Sequence, residues 1–149
     1  METVNSLPME RFAILQHKAG SLTNSTPING DWIEINDFRR LVVLFTAGSS
    51  AGALNVSLIL ESATDAAGTS AQEVRNFAGG SILTNPVMLF SYSTDAQEGA
   101  VNRRFYRMLA TGNTANATIG SLMLLGFDSH FSPASTRNAT GVLISSSST

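Results

Sequence analysis

The stretch FTAGSSAGALNV, residues 45–56, contains Gly48-Ser49-Ser50-Ala51-Gly52, which fits G-x-S-x-G, the nucleophile elbow of serine hydrolases. With Asp95 or Asp128 and then His130 further along, the chain order would match a hydrolase triad acting through Ser50. Such an elbow needs a strand, a sharp turn with serine at its tip, and a helix whose N-terminus helps to hold the oxyanion. Residues 41–47 supply the strand. After Gly52, however, Ala53-Leu54-Asn55-Val56-Ser57-Leu58-Ile59-Leu60 alternates with a period of two and makes no amphipathic helix. The parallel sheet of that fold also needs crossover helices, and the sequence offers none. Ser50 is therefore expected in a hairpin loop, and the chain is expected not to be an enzyme.

The other chemistry-bearing residues form no stronger constellation. His17 and His130 stand apart from any second ligand, and Asp128 with His130 makes two ligands, not a site. Glu61, Thr64 and Asp65 could offer oxygens to calcium, although a loop acid accepting from backbone N–H groups is the simpler reading. Gly79-Gly80-Ser81 lacks the lysine and helix of a phosphate loop and reads as a turn. Trp32, in Asp31-Trp32-Ile33-Glu34-Ile35, would be a sugar platform or an interface anchor if exposed, and a core or rim residue otherwise. No metal and no cofactor is expected.

These residues are carried by an unusual background. Hydrophobic residues make up 43% of the 149, but charged residues only 13%, about half the usual share. Ser, Thr, Asn, Ala and Gly take the place of charge, giving a polar surface of short side chains that lose little rotamer entropy when covered. A free monomer ordinarily carries more charge, so this surface is expected to be largely covered by partners. A net charge of −2 gives no drive towards nucleic acid, and Arg103, Arg104 and Arg107 are expected on a solvated strand face or in local ion pairs. There are no cysteines, which excludes disulfides and thiolate metal sites. The first 20 residues lack the basic and apolar regions of a signal peptide, and no apolar run approaches the roughly 20 residues of a membrane span. The expectation is a soluble chain made in the cytoplasm, with no membrane partner.

From residue 31 onward the period is two. Residues 41–46 (LVVLFT) are apolar on both faces, as in a central strand buried on both sides. Residues 55–62 alternate, with Val56, Leu58 and Leu60 inward. Shorter strands are expected at 73–77 and 87–92. Residues 104–111 and 118–127, separated by Gly112-Asn113-Thr114-Ala115-Asn116, are expected to form a hairpin. The fold class is thus all-β: a single antiparallel β-sandwich, jelly-roll-like, with extended terminal arms. The domain limits read 1–29 for an N-terminal arm, 30–131 for the sandwich and 132–149 for a C-terminal tail. Residues 8–19 fit either a helix, capped by Ser6 and stopped at Gly20, or a strand, with the balance towards extended structure.

The order of several short pieces resembles that in small structural proteins of tailed bacteriophages. They are Trp32-Ile33-Glu34-Ile35, Phe38-Arg39, residues 41–45, the 48–52 turn, residues 56–62 with the acidic-Gly loop at 65–68, and Arg104-Phe105-Tyr106-Arg107. The resemblance spans a little over half the chain and leaves 1–29 and 128–149 unmatched. It implies a jelly-roll-like sandwich on a virion, as a capsid cement or decoration protein that bridges major capsid protein subunits. Proteins of this type often form homotrimers. On that reading Arg11, Phe12, Trp32, Arg39 and Arg40 are the expected interface residues. The alternatives are a tail or head-spike accessory protein, or a carbohydrate-binding module using Trp32.

Overall fold

The computed structural model describes residues 12–50, 52–84, 86–94 and 103–129. Their regular structure is all strand: β1 (Phe12–Leu22), β2 (Ile28–Asn29), β3 (Ile33–Glu34), β4 (Phe38–Ser50), β5 (Asn55–Ala63), β6 (Gln72–Ser81), β7 (Val87–Ser93), β8 (Phe105–Gly112) and β9 (Thr118–Ser129). They form two antiparallel sheets, one ordered β1-β9-β4-β7 and the other β2-β8-β5-β6, with β3 also paired to β8. Only β5 and β6 are both consecutive and paired among these strands. Every other long connection carries the chain from one sheet to the other, which is the double Greek-key path of a jelly roll.

Alternation in the sequence decides which side chains meet between the sheets. Leu41, Val43 and Phe45 of β4 and Leu122 and Leu124 of β9 are buried from one sheet. Val56, Leu58 and Leu60 of β5, as the sequence predicts, and Tyr106, Met108 and Ala110 of β8 are buried from the other. Each large aliphatic or aromatic side chain so buried contributes about 1.5–3 kcal/mol. Two glycines of β9 make room for rings: a Cβ on Gly120 would lie 2.4 Å from Phe45, and one on Gly126 would lie 2.6 Å from Phe38.

Three expectations need correction. Residues 12–29 are not an arm. β1 pairs with β9 along its whole length and buries Ala13, Leu15 and Leu22, while Ile28 of β2 joins the same core. The extended reading of residues 8–19 holds from Phe12 onward. A register shift between Ile14 and Gln16 turns Gln16 inward, where it is 2% exposed. There its Nε2 donates to Asp31 Oδ2 and its Oε1 accepts from the Asp31 backbone N–H at 3.1 Å, tying β1 to the turn before β3. The 132–149 tail lies outside the described residues.

The second correction concerns β8 and β9, which are not a hairpin, and the third concerns β4 and β5, which are not one either. In each pair the strands belong to opposite sheets. The two connections lie side by side: Asn116 Nδ2 donates to the Ala53 carbonyl at 2.9 Å, and Asn113 Oδ1 accepts from the Asn55 N–H at 2.9 Å. Turn-forming residues signal a reversal, but a reversal within a sheet and a step to a sheet about 10 Å away have the same composition.

One buried polar atom stands out. The Ser62 hydroxyl, on a fully buried residue of β5, has no hydrogen-bond partner among the described residues. Desolvating a hydroxyl without a partner costs about 1–3 kcal/mol. Ser62→Ala is therefore expected to raise stability by about 1 kcal/mol, seen as a higher urea midpoint with an unchanged slope. A lower midpoint would show that the hydroxyl is satisfied in solution.

Candidate interaction surfaces

The G-x-S-x-G segment joins β4 to β5, strand to strand across the sandwich, so no helix N-terminus follows Ser50. Gly52 is small for a packing reason: a Cβ there would meet Asn116 Nδ2 at 2.9 Å. Asp95 and His130 lie outside the described residues. Among the described residues no three His, Cys, Asp or Glu side chains gather to hold a metal. Glu61 is engaged by Arg107, whose Nε and Nη2 both donate to its Oε2, at 3.0 and 2.5 Å. An open groove of about 370 Å³ runs between Asn55, Ser57, Gly80 and Asn113, and no aromatic or charged side chain lines it.

The two outer sheet faces differ in chemistry. The face of the β2-β8-β5-β6 sheet carries ion pairs. Besides Glu61–Arg107, Arg104 lies 3.7 Å from Glu34, and Arg103 donates to the Ser70 carbonyl. Arg104 and Arg107 are thus in local ion pairs, while Arg103 donates to a backbone carbonyl. Trp32 belongs to this side: the Arg107 guanidinium sits 4.6 Å from its ring centroid, a cation–π contact. Gly68 presses on the ring's Nε1–Cε2 bond, with φ at +79° and no room for a Cβ. With a guanidinium on its ring and a loop against its edge, Trp32 is a half-buried packing residue and not a bare platform.

The loop that holds Gly68 is organised by Asp65. Its Oδ1 accepts from the backbone N–H groups of Ala67 and Thr69, both at 2.9 Å. Hydrogen bonds from Thr69, side chain and then backbone, hold its carboxyl below the usual Asp value of 3.8. A depressed folded pKa means the stabilisation is present above the unfolded value and is lost as pH falls through the folded one. Since Trp32 is the protein's one tryptophan, acidification below the ordinary Asp range is expected to change its fluorescence before the sandwich unfolds. Asp65→Ala should show the same change at neutral pH; an unaltered spectrum would mean that the loop keeps its shape without the carboxylate.

The outer face of the β1-β9-β4-β7 sheet is different. Register places its outward side chains in rows: Phe12, Phe127 and Arg40; then Ile14, Leu125, Val42 and Ser91; then His17, Met123, Leu44 and Leu89; then Ala19, Ser121, Thr46 and Val87. Phe12 stacks on Phe127 with centroids 5.6 Å apart. Val87, Leu89 and Ile119 are 57–58% exposed. Among the described residues the charges on this face are Arg40 and Asp128, which pair with each other at 3.4 Å, while His17 Nε2 and Ser121 Oγ share a hydrogen bond. No described element packs on it.

The expected interface residues are therefore not one patch. Phe12 and Arg40 flank Phe127 on the apolar face, whereas Trp32 lies on the opposite sheet. Arg39 is exposed at the start of β4, where Thr94 Oγ1 donates to its carbonyl. Arg11 lies outside the described residues. Sequence reasoning reads residues 41–46 as buried on both sides; what it missed is that the second side is open among the described residues and continues through residues 122–125, also apolar at both parities.

No protein-family model and no curated protein matches the chain. Among solved structures it is similar to a chain of the Triatoma virus empty capsid, at 12% identity over 89% of this chain and 96% of that one, with a TM-score of 0.42. It is also similar to a chain of broad bean stain virus, at 13% identity over 93% and 100%, with a TM-score of 0.31. The fold assignment rests on the strand order of the two sheets.

Proposed function

We propose that this protein is a structural component of a virion, acting as a capsid cement or decoration protein on the major capsid protein. The observation that carries the reading is a jelly-roll strand order around an interior filled with hydrophobic side chains. Jelly rolls recur in viral capsid proteins, lectins and cupins, so the fold alone does not choose among them. A cupin-like role would use ligands gathered inside the sandwich, and the described interior is occupied by Phe45, Leu58, Met108 and their neighbours. A lectin-like role would use an accessible aromatic, and Trp32 is held by Arg107 and Gly68. The low charge and the broad apolar sheet face fit a protein that works while covered by neighbours.

The test is the protein composition of purified particles. A cement protein is expected there in fixed stoichiometry to the major capsid protein, and particles stripped of it should rebind the purified chain and regain heat resistance. Its absence from purified particles would refute the reading.

A further inference from the structure

We infer that the outer face of the β1-β9-β4-β7 sheet is a self-association surface, on which a second copy of this chain packs face to face. The inference holds whether or not the protein resides on a virion.

Three observations carry it. First, β4 and β9 have sequences suited to burial on both sides, yet among the described residues only one side is covered. Val42 and Leu44 face outward from β4, and Met123 and Leu125 from β9, half-buried by their neighbours in the sheet and by nothing above them among the described residues. β5, in the other sheet, sets Asn55, Ser57 and Glu61 outward, with Ile59 as its one apolar outward side chain, close to the pattern of a strand with one wet face. The two sheets thus differ in what they are built to touch.

Second, the face has the chemistry of a two-fold contact. Among the described residues its one close ion pair, Arg40 with Asp128, is internal and sits in the end row. Two copies placed face to face therefore bring no like charges together over the centre. An isologous contact needs a surface that complements itself, and apolar side chains, which have no donor or acceptor to match, meet that condition. Sheets stacked in this way sit about 10 Å apart at roughly −30°, which lets outward side chains interdigitate.

Third, the area suffices. Four strands about 4.8 Å apart, with four rows spaced by two residues, cover on the order of 500 Å². A pair would bury about 1,000 Å² in total, the lower end for a specific interface. A single face buried against its own copy closes the assembly at two, so the unit is a dimer and not the trimer implied by the resemblance to phage cement proteins.

Native mass spectrometry of the full chain at micromolar concentration tests this. The wild type is expected at twice 15.8 kDa. Leu44→Lys, at the centre of the face, should give a monomer, with affinity weakened at least 100-fold. Because that change could disturb folding, Thr46→Lys puts the same charge at an outward position that is already polar, and it should also give a monomer. Ile59→Lys, on the other sheet, should stay dimeric. A wild-type monomer would overturn the inference, since the face would then be bare or covered by the chain's own remaining residues. A trimer, or a dimer that Thr46→Lys leaves intact, would overturn it as well.

Discussion

Phe45→Ala is expected to destabilise the protein by about 3–5 kcal/mol, lowering the thermal midpoint by on the order of 10 °C. Phe45 is fully buried on β4, which pairs with β9 on one side and β7 on the other. Removing the ring deletes its transfer free energy and leaves a cavity between two sheets whose strands cannot close in independently. A domain of this size has about 5–15 kcal/mol in total, so much of the stability would be lost. Equilibrium urea unfolding is the measurement. A loss below about 1 kcal/mol would mean that the ring does not fill the centre of the sandwich.

The second large effect is expected at the position facing that ring. In Gly120→Ala the new Cβ would lie 2.4 Å from Phe45 Cε2 and 2.7 Å from Cζ. Neither distance is tolerable, and a ring with no exposure has nowhere to swing. Overpacking of this kind costs about 1–3 kcal/mol. The clash also makes the two sites interdependent. Gly120→Ala is expected to cost less in a Phe45→Leu background, with a coupling energy of about 0.5–3 kcal/mol. Strict additivity would show that β9 moves away from β4 instead.

That pair illustrates what is hard to read in a chain. Glycine inside a strand pattern, as in Thr118-Ile119-Gly120-Ser121-Leu122, signals a close approach, but the sequence does not say to what. The partner ring is 75 residues away and becomes visible only once β4 and β9 are neighbours. The same holds for Gln16, whose inward turn depends on a one-residue register shift, and for Trp32, whose exposure depends on Arg107 and the 64–71 loop.

Local alternation along the chain settles the class of the fold, most of the strands and the inward face of β5. Alternation with a period of two is a local property, and it survives whatever the strands later pair with. It likewise argued against a nucleophile elbow at Ser50, because a strand pattern follows the turn. Tertiary structure alone decided which sheet each strand joins. Two reversals with the composition of hairpins prove to be steps between sheets, since turn residues fix the local bend and not the distant partner. It also decided which side of the doubly apolar β4 and β9 faces the core: period-two patterning cannot distinguish a strand covered on both sides from one whose second side lies open.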